Sequence, residues 1–357
     1  MKYMLLSLMI VMVSKIYSVA RFQKIDNPSI SYPIKTDPHP LRRIAYDASN
    51  FLKKVHLSNY VTADEGLFKG YGIALDDVTR TLDFVVDTAT KKPELLKSHW
   101  FLKKHFDFYR WYGDEIGFKK VKSTLPVGDQ TPPEAIRITK YRITKIHGSY
   151  KKTRKYTIPV YQKPSDEHNV LHSDIAKNRS HYLRFHHTKD EILNGVLEHN
   201  QKTKLLAWVT PEGYADFKMQ GSLVVALPDK NNMLINVAGT NGKEEGQNYW
   251  FAAEVKNPSQ QKTSLPVKVR PISGVSFAGN IKDLGFGKLI ALEGKTSQGR
   301  VPEMRLGVLV DTGNAFKKNL FQLDLFSGYF ETDKEFTEYN GKFPEAAHAY
   351  VLIKKKG

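Results

Sequence analysis

The chain has 357 residues, no cysteine, 41% hydrophobic residues and a formal net charge of +17. Its length exceeds one ordinary domain and its hydrophobic content suffices for buried cores. The missing cysteine excludes disulfides, a thiol nucleophile and a thiolate metal site. So large a cationic excess favours a polyanionic partner: nucleic acid, an acidic wall polymer or a membrane surface.

The first residues, MKYMLLSLMIVMVSKIYSVA, combine Lys2, an apolar run from Tyr3 to Val13 and small residues at Ser18, Val19 and Ala20. They read as a secretory signal over residues 1–20, cut after Ala20. An uncleaved anchor is the alternative, but the run is short for a span and Lys15 interrupts it. Removing Lys2 and Lys15 with the signal leaves a charge of +15. Export argues against nucleic acid, and no cysteine is present for lipid attachment. The expectation is a periplasmic or secreted monomer with no stable membrane anchor.

Pro28, Pro33 and Pro38 mark residues 21–39 as an extended lead-in. Helical periodicity follows to about residue 112. Leu41, Ile44, Ala48, Phe51, Leu52 and Val55 fit one face, and Leu75, Val78, Leu82 and Val85 another. A third helix is expected after Pro93, with Leu95, Leu102, Phe106 and Tyr109 on one side.

From about residue 136 the pattern changes to short strands. RITKYRITKIHG leads to a basic loop with Lys151, Lys152, Arg154 and Lys155, then to YTIPVY, where Pro159 marks an edge. The loop either meets an anionic ligand or is a solvated hairpin tip. His168, His172, His181, His186 and His187 follow; the first two have a chelating i, i+4 spacing but no metalloprotease glutamate accompanies them, so no metal is assigned. HTKDEILNGVL reads as a short helix closed near Asn194-Gly195 or Asn200.

Residues 205–255 read as a strand-rich block, with Pro211-Glu212-Gly213 a turn and Pro228 to Asn232 joining two strands in a hairpin. Beyond a polar linker come VKVRPI, GVSFAG, KLIALEG, MRLGVLV and HAYVLIKKKG. So many strands with short connections, after N-terminal helices, suggest a mainly β (α+β) chain with a closed barrel.

Two aspartates end apolar runs near the end of this series. Alternation at Met304, Leu306, Val308 and Val310 carries a strand into Asp311-Thr312-Gly313-Asn314. In FQLDLF, Phe321, Leu323 and Leu325 share one face and Gln322, Asp324 and Phe326 the other, so Asp324 faces away from the core beside an aromatic ring. Desolvation there raises a carboxyl pKa and keeps the proton available for donation. An Asp at a strand end also serves simply as a turn former.

Six segments in order resemble one family, the type A membrane-bound lytic murein transglycosylases with their three-aspartate domain. They are Thr139-Lys140-Tyr141 with YTIPVYQKP, DEILNGVLEHNQKTKLLAWV, ADFKMQGS, VAGTNG, DTGNAF and LDLFSG. The resemblance implies a double-psi β-barrel with N-terminal helices and a smaller inserted β domain. In this sequence that places the barrel domain at 21–139 plus 262–357 and the insert at 140–261. It further implies non-hydrolytic cleavage of peptidoglycan glycan strands between N-acetylmuramic acid and N-acetylglucosamine, with no cofactor. Asp324 matches the acid/base aspartate and Asp311 the supporting one. Thr139, Tyr141 and Phe326 are the implied substrate contacts on the barrel side, with Gln220, Gly221, Ser222 and Asn241 on the opposite wall of a sugar groove.

Departures accompany the match. Gly279-Asn280 stands where the family has an Ala-Val-Asp type segment, Lys140 replaces a glycine and Arg142 a tyrosine. These leave a second reading open, an exported peptidoglycan-binding or wall-loosening protein without turnover. Asp311-Thr312-Gly313 is also the aspartic protease triplet, but that chemistry needs a second such aspartate and none occurs.

Overall fold

The computed structural model describes residues 21–57, 66–122, 134–168, 170, 172–229, 231–255 and 269–356. The signal reading of residues 1–20 lies outside them. In chain order the strands are β1 (Arg21–Ile25), β2 (Phe106–Tyr112), β3 (Ile136–His147), β4 (Ile158–Tyr161), β5 (Leu205–Val209), β6 (Ser222–Ala226) and β7 (Asn232–Thr240). They continue with β8 (Trp250–Glu254), β9 (Ser276–Ala278), β10 (Leu289–Thr296), β11 (Pro302–Asp311), β12 (Gln322–Phe330) and β13 (Pro344–Lys354). Helices and a large mixed sheet share the chain, so it is α+β and "mainly β" overstates its strand content. The described part has no helix long and apolar enough to cross a membrane.

The chain divides into two compact units. One comprises Met1–Tyr141, Pro266–Gly328 and Phe336–Gly357; the other comprises Arg142–Leu265 with Tyr329–Glu335.

In the first unit, strands run in the order β1-β2-β13-β10-β11-β9-β12-β3, and an additional β13–β3 pairing returns the last to the third. Six strands, from β13 through β10, β11, β9 and β12 to β3, therefore close a ring of pairings. Alternation sets what lies on its two faces: Leu323 and Leu325 of β12 are buried in the main core, while Gln322 and Asp324, which alternate with them, are half-buried. The helices Pro38–Leu57 and Leu75–Lys91 pack their predicted stripes on each other and on β10, β11 and β13. Leu41, Ile44, Ala48, Leu52, Val78, Leu82 and Val85 are all buried, each larger side chain contributing about 1.5–3 kcal/mol.

The third predicted helix stops early. His99–His105 is helical, but Phe106 and Tyr109 belong to β2, which pairs with β1 and β13. Its aromatic sequence FDFYRWY suits a strand with neighbours on both sides, and the two hydrogen-bonded edges outweigh the helical spacing.

In the second unit the last residues of β3 run parallel to β6, and β6, β7 and β8 form an antiparallel series. The predicted hairpin is there: Ala226 pairs with Asn232 and Ser222 with Asn236. β4 and β5 make a separate pair, with Pro159 opposite Trp208. The expected turn at Pro211-Glu212-Gly213 is instead the start of a helix, Pro211–Gln220. Thr210 accepts from the Gly213 N–H, Pro211 occupies the first turn, and Gly221 closes the helix at φ 74°. VKVRPI is not a strand where it is described: Val269 to Ile272 are irregular.

Candidate active site

β9 has only three residues, yet it brings the two aspartates into register. Asp311 at the end of β11 lies opposite Ala278 through a parallel pairing, and Asp324 of β12 lies opposite the same Ala278 through an antiparallel one. The β11 register shifts between Leu309 and Asp311, so the common face is fixed by the partners rather than by alternation: Tyr141 donates to Asp311, and Thr139, two residues away on β3, holds the Gln322 amide that donates to Asp324.

Strand β3 supplies that face with Thr139 and Tyr141. The Gln322 amide donates to Thr139 Oγ1 at 2.7 Å and to Asp324 Oδ1 at 3.0 Å, while its oxygen accepts from Asn319 at 3.2 Å. Thr139 in turn donates to the Leu323 carbonyl at 3.4 Å. Tyr141 donates its hydroxyl to Asp311 Oδ2 at 3.0 Å, and the Thr312 N–H satisfies Oδ1 at 2.8 Å. The Tyr141 ring also packs on buried Phe326 at 5.1 Å between centroids. Asp311 is therefore held by at least two donors, whereas among the described residues the Gln322 amide is the hydrogen-bond donor to Asp324.

The electrostatics separate the two carboxyls accordingly. Burial pushes the Asp324 carboxyl up to about 6, the Gln322 hydrogen bond opposes this, and the Asp311 charge adds to it. Arg137 and Lys140 act weakly in the other direction. Lys140 is itself brought down to about 8, chiefly by burial and partly by Arg137, against the charges of Glu345 and Asp324. A carboxyl at about 6 is protonated in roughly one molecule in ten at neutral pH and can both give and take a proton there.

Of the residues singled out in the sequence, Asp324, Asp311, Thr139, Tyr141 and Phe326 gather here, all within the first unit. Gln220, Gly221, Ser222 and Asn241 belong to the second. Gln220 is exposed at the end of its helix, and Ser222 donates to Asn236 at 2.8 Å. Asn241 is buried at 1% exposure; its amide donates to the His187 and Gln247 carbonyls and its oxygen accepts from Tyr249 N–H. That side chain is consumed in holding its loop. Gln322 was missed as a site residue, although its place on the Asp324 face two positions earlier was the available signal.

A family model described as the MltA specific insert domain matches residues 137–246. A membrane-bound lytic murein transglycosylase from Agrobacterium tumefaciens is similar in structure, with a TM-score of 0.57 and 16% identity over 90% of this chain and 94% of that one. MltA from Neisseria gonorrhoeae gives 0.56 and 16%, covering 95% of this chain and 94% of its own. E. coli MltA with bound chitohexaose gives 0.52 and 14%, covering 94% and 95%. No curated protein matches this chain in sequence.

Proposed function

Since this chain is MltA-like in its insert and its fold, we propose that it is a peptidoglycan lytic transglycosylase. It cleaves the β-1,4 bond between N-acetylmuramic acid and N-acetylglucosamine without water, outside the cytoplasm, and leaves a 1,6-anhydromuramyl end. The closed ring of six strands is then the double-psi barrel that such a chain would carry.

The observation that carries this reading is the asymmetry of Asp311 and Asp324 about Ala278. One carboxylate is fixed by Tyr141 and Thr312; the other is desolvated, with a pKa of about 6. Only the second suits proton transfer in both directions. Asp324 in its protonated form gives its proton to the glycosidic oxygen as the C1–O bond breaks, and the N-acetylglucosamine hydroxyl departs. The resulting carboxylate takes the proton of the muramyl C6 hydroxyl as that oxygen bonds to C1, which regenerates the acid. One carboxyl suffices because the nucleophile belongs to the substrate, unlike the two-carboxylate scheme of ordinary glycosidases. Gln322 orients Asp324 through its amide, and Asp311 orders the start of the following loop. Thr139 and Tyr141 line the same face and are assigned to the sugar beside the scissile bond; Phe326, expected as a contact, is fully buried and supports the Tyr141 ring instead. Gln220, Gly221 and Ser222, in the second unit, keep a glycan-binding role from the resemblance alone, and Asn241 is assigned to support of its loop.

The test is mass spectrometry of soluble products after isolated peptidoglycan is incubated with the protein and with an Asp324→Ala variant. Products one water lighter than hydrolytic muropeptides, absent with the variant, are expected. Wall binding by both proteins with no released product would overturn the enzymatic reading in favour of a non-catalytic binding protein.

A further inference from the structure

The helix His99–His105 carries a surface that the proposed chemistry does not use. It buries Phe101 and Leu102, yet Trp100 is 66% exposed. Lys104, four residues on and on the same side, places its ammonium 4.8 Å from the centre of that ring. The strand β13 ends alongside: Lys354 pairs with Phe106, the Lys355 N–H donates to the His105 carbonyl at 3.0 Å, and Lys355 Nζ donates to the Lys103 carbonyl at 2.8 Å. Lys103, Lys104 and Lys355 make no ion pair among the described residues. The acids nearby are engaged elsewhere or apart: Asp77 is buried and pairs with Arg80 and Lys356, and Asp107 pairs with Lys24. Exposed Glu94 lies in the turn before the helix. His105 registers the local field, since burial and then the charges of Lys354, Lys104 and Lys355 push its pKa down.

We propose that Trp100, with Lys103, Lys104 and Lys355 around it, is a docking surface for an anionic lipid bilayer. The cations alone would fit any polyanion. The exposed indole decides the class: at a bilayer surface an amphipathic ring sits at headgroup depth while flanking lysines meet anionic headgroups in the same plane. A soluble polyanion without ring faces, such as polyphosphate, would engage only the charges. Such contact is reversible, since each lysine near an anionic leaflet strengthens partition only about fivefold.

The experiment is co-sedimentation of the full chain with phosphatidylcholine vesicles, with and without phosphatidylglycerol, and with soluble polyphosphate as a competitor. Binding only to the anionic vesicles is expected, weakening as salt is raised. Lys104→Gln with Lys355→Gln should reduce partition about 25-fold, from roughly fivefold per lysine. Trp100→Ala should reduce it further and remove any vesicle-induced blue shift of the tryptophan emission. Melting temperatures of the variants establish that they fold; were one to fail, the salt and lipid dependence of the unaltered protein still decides. Equal binding to neutral vesicles, unchanged partition of folded variants, or capture by polyphosphate with no vesicle binding would each overturn the proposal. None of these outcomes depends on glycan cleavage.

Discussion

Asp311 and Asp324 stand opposite the same residue, Ala278, on the two flanks of β9. Two strand spacings put their Cα atoms about 10 Å apart on one face. The Asp311 charge is one of the influences that raise the Asp324 pKa. Replacing Asp311 with asparagine removes it, so the Asp324 pKa falls and less of the acid form survives at neutral pH. The alkaline limb of activity should therefore move to lower pH, with a larger loss at about pH 8 than at about pH 5. A pH profile of anhydro-product release reads this directly; an unshifted limb with uniformly lower activity would leave Asp311 a purely structural role.

Gln322 should act with the opposite sign. Its amide hydrogen bond favours the charged form of Asp324. Gln322→Ala raises the Asp324 pKa, moves the alkaline limb to higher pH and loosens the carboxyl. We expect kcat to fall about tenfold or more through lost orientation, with KM changed less. Comparison of this profile with that of Asp311→Asn is the check, because two variants that merely damaged the fold would not shift the limb in opposite directions.

How much of this was legible beforehand depended on how local the cause was. The stripes at Leu41 to Leu52 and Val78 to Val85, the β6–β7 hairpin and the placing of Asp324 on one face with Gln322 follow from periodicity and turn chemistry within short windows. Phe106 and Tyr109 were misread because helical spacing is also met by an aromatic run whose strand identity comes from β1 and β13, distant in sequence. At Pro211 the signal is local: Thr210, Pro211 and Glu212 form a helix start inside strand-rich surroundings that favour a turn. The register that aligns Asp311 with Asp324 through Ala278 is a long-range property, and no motif carries it.

The raised pKa of Asp324 has a cost in stability. The ordinary carboxyl titrates at 3.8 and this one at about 6, so the folded state holds its proton more tightly than the unfolded state. The favourable contribution is present below about pH 4 and is lost as pH rises through about 6. Asp324→Asn, neutral at all these values, should be more stable than the parent at about pH 8 by up to about 2 kcal/mol after screening by the solvent at this half-buried site. The advantage should vanish near pH 4. Thermal melts at both values measure it, and equal melting temperatures at the higher pH would contradict the burial assigned to this carboxyl. An inactive variant that is more stable is the expected mark of a working acid.

The second unit depends on a buried pair. Glu167 and Arg184 are both buried, with Arg184 Nε to Glu167 Oε1 at 2.6 Å, Nη2 to Oε2 at 3.1 Å, and Lys163 Nζ to Oε2 at 2.9 Å. Arg184 also donates to the Thr240 carbonyl, just before the loop that Asn241 holds. Burial raises the Glu167 pKa, but the hydrogen bonds and charges of Arg184 and Lys163 outweigh it and the carboxyl lies below its usual value. Its contribution is therefore present above about pH 4.5 and lost as pH falls further. Glu167→Ala leaves a buried guanidinium uncompensated and should destabilise this unit by about 3–5 kcal/mol. The double variant with Arg184→Met should lose less. Urea denaturation followed by tryptophan fluorescence, to which Trp208 and Trp250 of this unit contribute, tests the order; a double variant worse than the single would mean that the pair is not what holds Arg184.

Gly279 is the position where restoring the resemblance should fail. It follows β9, donates its N–H to the Asp311 carbonyl at 3.0 Å, and occupies the segment where the resemblance implies a third aspartate. A Cβ there would sit 2.8 Å from Leu323 Cδ2, 3.1 Å from Leu309 Cδ1 and 3.9 Å from Leu284 Cδ1. All three leucines are buried, so a carboxylate would enter an apolar pocket with no partner. The neighbouring Asn280 is already committed, accepting from Asp283 N–H at 3.1 Å and donating to Asp283 Oδ2 at 2.6 Å. Gly279→Ala should cost about 1–3 kcal/mol through overpacking. Gly279→Asp should cost about 3 kcal/mol or more, with no gain in product release. Urea midpoints of the two variants provide the measurement. A Gly279→Asp protein as stable as its parent and more active would mean that these leucines yield and that the missing aspartate limits the enzyme; we expect the loss of stability instead, because this chain has filled that position with its core.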